Sequence, residues 1–73
     1  MVTVFEISGI RIVMPTKHIK LLVIGKHEIT KEPGFKIVDV FGMEHHFLGP
    51  RAHEIAEDIM LDIEMCHVDI LRN

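Results

Sequence analysis

Two hydrophobic periods divide the chain. Up to residue 48, strand-prone apolar residues come in short runs broken by glycine or proline; after Gly49-Pro50 they recur every three or four positions. The first pattern is that of strands and the second that of a helix. The runs place strands near residues 2–7, 10–14, 18–24, 27–31, 35–41 and 44–48. Gly25-Lys26 and Gly42-Met43 fit two-residue hairpin turns with glycine at the first central position. Ser8-Gly9 fits that geometry less well, and Gly9 is alternatively a bulge in one bent strand. Pro15-Thr16-Lys17 and Glu32-Pro33-Gly34 read as longer connections. If the glycines are bulges, the six short strands merge into three long ones.

Two segments carry more apolar surface than one cover can bury. Leu21-Leu22-Val23-Ile24 does not alternate, which marks a strand buried on both faces. From Pro50 to about residue 71 the spacing predicts one long helix, with Gly49 and Pro50 at its start and Glu54, Glu57 and Asp58 beside its positive end. At 100° per residue, Ala52, Ile55, Ala56, Ile59, Ile63, Cys66 and Ile70 fall on one stripe, assigned to the core. Leu61, Met65 and Val68 fall on nearly the opposite side, widened by Met60 and Leu71, and a helix apolar on two sides needs two covers. The fold expected is α+β: an antiparallel, hairpin-rich β-meander over residues 1–48 packed against one long C-terminal helix, in a single domain. A partly closed barrel capped by the helix is the alternative.

Composition narrows this picture. With 73 residues the chain is near the size at which one core is only marginally stable alone, yet 48 % apolar and 26 % charged residues are globular proportions. A single cysteine excludes an intrachain disulfide. The net charge of −3 and the absence of Trp and Tyr argue against nucleic acid as partner. The acidic excess lies in residues 51–73, where Glu54, Glu57, Asp58, Asp62, Glu64 and Asp69 face only Arg51 and Arg72. Met1-Val2-Thr3-Val4-Phe5-Glu6 lacks the pattern of a signal peptide, and no apolar run approaches bilayer length. Those features lead to the expectation of a cytoplasmic protein without membrane contact.

Motifs for chemistry are few. There is no phosphate-binding glycine loop, no Cys-x-x-Cys pair and no Gly-x-Ser-x-Gly elbow. Cys66 falls on the core stripe and its neighbours are acidic, the wrong setting for a reactive thiolate. Histidine is enriched at positions 18, 27, 45, 46, 53 and 67. His53 and Glu57, at i and i+4 of the helix, form with His45 and His46 a loose set of metal ligands. A solvated His/Glu pair and strand histidines with polar tips outward account for the same spacing more simply. Asp39 and His46 sit opposite each other across a Gly42-Met43 turn, an arrangement best explained as a cross-strand ion pair. Lys17, Lys20, Lys26, Lys31 and Lys36 form a scattered anion patch or, more simply, solubilise strand edges. Phe5, Phe35, Phe41 and Phe47 lie on strands and read as core.

The function expected is that of a small, non-enzymatic, homo-oligomeric interaction protein without a cofactor: a regulator, inhibitor or adaptor acting by protein binding. Its interface is expected at Leu61, Met65, Val68, Met60 and Leu71 of the helix and at Leu22 and Ile24 of the two-sided strand, joining two copies or a higher even number. One alternative is a small-ligand or nucleotide-binding protein using the five lysines, with its pocket between protomers. The other is a metal-dependent hydrolase built on His45, His46, His53 and Glu57.

Overall fold

Six strands and one helix make up the fold, known here from a computed structural model that describes residues 1–64 and 66–73. In chain order they are β1 (Val2–Ile7), β2 (Ile10–Pro15), β3 (Ile19–Lys26), β4 (Pro33–Asp39), β5 (Glu44–Leu48), α1 (Ala52–Ile63) and β6 (Asp69–Arg72), with a 3-10 turn, Thr16–His18, leading into β3. β1 and β2 form a separate antiparallel hairpin. The other strands form one sheet in the order β5-β4-β3-β6, antiparallel except for β6, which runs parallel to β3. The class is therefore α+β as expected, but the sheet is mixed and the helix lies mid-chain.

The helix stops at Ile63 because the core beneath it stops there. Continued to residue 71 it would run about 33 Å, longer than β3, the longest strand at 8 residues and about 26 Å. Ala52, Ala56, Ile59 and Ile63 form its buried stripe. The Cys66 amide then bonds to the Ile63 carbonyl and the Val68 amide to the Cys66 carbonyl, turning the chain back. The alternation of Val68, Asp69, Ile70 and Leu71 suits a strand, and β3 offers a free edge for it. Cys66 and Ile70, assigned to the helical core stripe, accordingly lie outside the helix.

The turns also differ from the expected ones. Ser8 and Gly9 both have positive φ (53° and 78°) and form a two-residue hairpin turn of the kind that matches strand twist. Gly25 lies inside β3, and the expected strand at 27–31 is a turn. There the ring of His27 accepts hydrogen bonds from the Ile29 and Thr30 amides, while the His27 amide donates to the Glu32 carbonyl. Val40-Phe41-Gly42-Met43 connect β4 to β5, closed by the Gly42 amide on the Asp39 carbonyl and the Asp39 amide on the Met43 carbonyl. Gly42 takes the left-handed position after that turn (φ 86°) instead of leading it.

The core lies between the helix, the inner face of the β1–β2 hairpin and one face of the larger sheet. Leu22 and Ile37, paired across β3 and β4, are fully buried, as are Ala52 and Ala56 on the helix. Phe5 meets Phe35 and Phe47 edge-on, with ring centroids 5.6 and 5.2 Å away, fixing the hairpin to the sheet. Phe41, expected in the core, is 73 % exposed at the loop tip. The hydroxyls of Thr3 and Thr16 satisfy each other within the core at 2.8 Å. Removing the Ile37 side chain beyond Cβ (Ile37→Ala) is expected to lower stability in urea denaturation by about 2–5 kcal/mol. Gly34→Ala is expected to cost about 1–3 kcal/mol, because its Cβ would stand 2.8 Å from the Phe47 carbonyl oxygen.

Candidate functional site

Strand alternation gives the larger sheet a covered and an uncovered face. Leu22, Ile24, Phe35 and Ile37 point to the helix and hairpin and are buried. The residues between them, Leu21 and Val23 on β3 and Lys36 and Val38 on β4, point the other way and are half-buried. Register extends this second face to Glu44 and His46 on β5 and to Asp69 and Leu71 on β6. Leu71, Val23, Leu21 and Val38 thus form an apolar band, with Leu71 52 % exposed. The two-sided apolar character of Leu21–Ile24 is real, but its halves have different fates.

The expected interface residues separate accordingly. Leu22 and Ile24 are in the core of a single copy and are not available for an interface, because they are the half of β3 that meets the helix. Met60 and Val68 pack half-buried against that same core. Leu61 alone of the outer helix group is shown to be strongly exposed, and Met65 lies outside the described residues. Leu71 is exposed, on β6 instead of on a helix.

The four expected metal ligands do not converge. His45 and His46 are neighbours on a strand and so point to opposite faces. His45 Nε2 donates to Asp39 Oδ2 at 3.0 Å and His46 Nε2 to Glu44 Oε1 at 3.1 Å. His53 Nε2 donates to the Gly25 carbonyl at 2.7 Å, tying the helix start to β3, and Glu57 accepts from Arg72 at 2.8 Å. Among the described residues no three His, Cys, Asp or Glu side chains are grouped to hold a metal ion.

Asp39 pairs with His45, not with His46, because the turn centres on Phe41 and sets Asp39 opposite Met43, three positions from His46; that odd shift leaves His45 on the face of Asp39 and His46 on the other. Its Oδ1 accepts from the amides of Phe41 and Met43 at 2.9 and 3.0 Å, so the carboxylate holds the loop together. The His45 hydrogen bond, together with those two amides, draws the Asp39 carboxyl below its ordinary pKa of 3.8 against the opposing effect of burial. Glu44 is likewise lowered, chiefly by the His46 hydrogen bond and then by Lys36, 3.5 Å away. Ser8 donates its hydroxyl to the Leu48 carbonyl, so no serine accompanies the Asp–His pair.

Of the five lysines, Lys26 and Lys36 line one open cleft of about 490 Å³ on the uncovered side, with Val23, Ile29, His46 and Leu48. Lys17, Lys20 and Lys31 are not part of its lining. No described helix is long and apolar enough to cross a membrane. Comparison with models of known protein families, with curated proteins and with solved structures finds no match.

The Asp39 geometry sets an acid-side pH dependence. A carboxyl lowered in the folded state stabilises it fully above the unfolded value, and that contribution is lost as pH falls through the lowered folded value. Asp39→Asn keeps an oxygen for the Phe41 and Met43 amides and removes the charge. The urea midpoint of the wild type is expected to fall as pH is taken from about 5 to about 2, and the fall to be shallower in Asp39→Asn. Equal slopes would show that the carboxylate contributes only as a neutral acceptor.

Proposed function

We propose that the protein is a non-enzymatic, homo-oligomeric interaction protein, a regulator, inhibitor or adaptor that acts by binding protein. The observation that carries this reading is the sheet face turned away from α1 and the β1–β2 hairpin, where half-buried Leu21, Val23 and Val38 lie together with exposed Leu71. A contiguous apolar band of this kind is the usual mark of a contact surface. The groups that suggested chemistry support the reading from the other side. Asp39, His45, His46, His53 and Glu57 each engage a structural partner, and the polar atoms so engaged are not grouped around a common point.

Self-association fits the size of the chain, since a single small core leaves little net stability once chain entropy is counted. A two-fold dimer is the simplest closed assembly. A cytoplasmic setting belongs to the same proposal, as the natural place for a chain whose one thiol, Cys66, is free. One observation favours a second reading, the binding of a small anion: Lys26, Lys36, His27 and His46 all line the 490 Å³ cleft.

The two readings separate in solution. Light scattering on the wild-type chain at micromolar concentration is expected to give twice the 8.4 kDa chain mass or a higher even multiple. A folded monomer would overturn the homo-oligomeric reading. A rise in melting temperature of several degrees on adding inorganic phosphate or ATP, abolished in Lys26→Ala with Lys36→Ala, would favour the second.

A further inference from the structure

β6 forms one edge of the larger sheet, and its backbone shows which groups are free there. The Asn73 amide donates to the Ile24 carbonyl at 2.9 Å, so Asn73 faces β3. Backbone groups alternate along a strand, so Leu71 and Asp69 also turn theirs to β3, while Ile70 and Arg72 turn theirs outward. All four β6 residues are exposed. The strand is short and carries Asp69 and Arg72, but it contains no proline or bulge that would block pairing of its backbone. The opposite edge differs: Ser8 at the hairpin turn donates to the Leu48 carbonyl at 3.3 Å, and Ile7, Ile10 and Ile12 of the hairpin share a crevice with β5.

We propose that β6 is the homodimerisation edge, pairing antiparallel with β6 of a second copy about a two-fold axis at Leu71. The proposal rests on the homo-oligomeric reading above and names its interface. An axis perpendicular to the sheet keeps both helices on one side and both uncovered faces on the other. Residues opposite each other must then share a face, which restricts the register to even steps. With Leu71 on the axis, Ile70 stands opposite the second copy's Arg72, and each pair exchanges both amide–carbonyl hydrogen bonds. Every outward backbone group of β6 is then satisfied. Shifting the axis to Ile70 would instead require the Val68 amide, which already donates to the Cys66 carbonyl at 2.9 Å.

The side chains agree with this register. Leu71 meets the second copy's Leu71 as a close, non-hydrogen-bonded pair on the uncovered face. Asp69 meets the second copy's Asn73, a carboxylate facing an amide donor. Arg72 is held toward its own helix by Glu57 at 2.8 Å, leaving its aliphatic stem to cover the second copy's Ile70. No like charges oppose each other. The two four-stranded sheets become one, and the Leu71–Val23–Leu21–Val38 bands of the two copies join across the axis.

The test uses the full chain. Ile70→Pro removes an outward amide that a single copy does not use, and Leu71→Asp places two carboxylates face to face at the axis. Both are expected to be folded by circular dichroism and to scatter light as monomers where the wild type is dimeric. In a Cys66→Ala background, Leu71→Cys is expected to form a covalent dimer on mild oxidation, since Cα atoms of such a pair stand about 4.5 Å apart; Leu61→Cys is expected to stay uncrosslinked. Should Ile70→Pro fail to fold, the Leu71→Cys crosslink still decides. A wild-type dimer that survives both β6 substitutions without crosslinking at Leu71 overturns the β6 interface and leaves the homo-oligomeric reading standing. A wild-type monomer overturns both.

Discussion

Leu22 and Ile37, cross-strand neighbours on the two central strands and both wholly shielded from water, fix the arrangement of everything else. A chain of this size has one core, and its elements must converge on that pair. The helix reaches the sheet through Ala52 and Ala56, whose small side chains allow close approach, and fills the space beyond them with Ile59 and Ile63. The hairpin reaches it through Phe5, which locks against Phe35 and Phe47. Ile63 is the last buried residue of the helix. The chain turns, and β6 recovers backbone hydrogen bonds on the free edge of β3.

That constraint explains how the polar side chains are used. Asp39 organises a loop, His27 caps a turn, His53 clips the first turn of the helix to β3, and the Arg72–Glu57 pair fastens β6 to α1. The exposed ion pairs, Arg51–Glu54 and Arg72–Glu57, add little stability on their own. Their value is in orientation. Histidine enrichment, the sharpest chemical signal in the sequence, thus resolves into several separate structural roles. The sheet face turned away from the helix is the feature on which the proposed interaction reading rests.

Local pattern made several things legible: the α+β class, five of the six strands, the start of the helix and its buried stripe through Ile63. Strand alternation and helical periodicity are properties of neighbouring residues, and both survive folding wherever an element has one core-facing side. The excess of apolar residues at Leu21–Ile24 was legible too, because a strand that fails to alternate must present an apolar side chain to each face. The hydroxyl pair Thr3–Thr16 gave no signal, since its two members become neighbours only when the hairpin closes.

Three features depended on long-range geometry. Helical spacing continues past Ile63, and a sheet long enough to shelter it is all that was missing; the competing strand conformation wins because β3 supplies hydrogen-bond partners that residues 69–72 cannot supply for themselves. The pairing of Asp39 with His45 turned on where the β4–β5 turn falls: it centres on Phe41, an odd shift of register from a Gly42-Met43 turn, which exchanges the faces His45 and His46 present to Asp39. Which half of Leu21–Ile24 is core and which is surface was settled by the side on which the helix crosses back over the sheet. Periodicity records that a residue has apolar neighbours on its own strand or helix, while burial depends on what the rest of the chain places across from it.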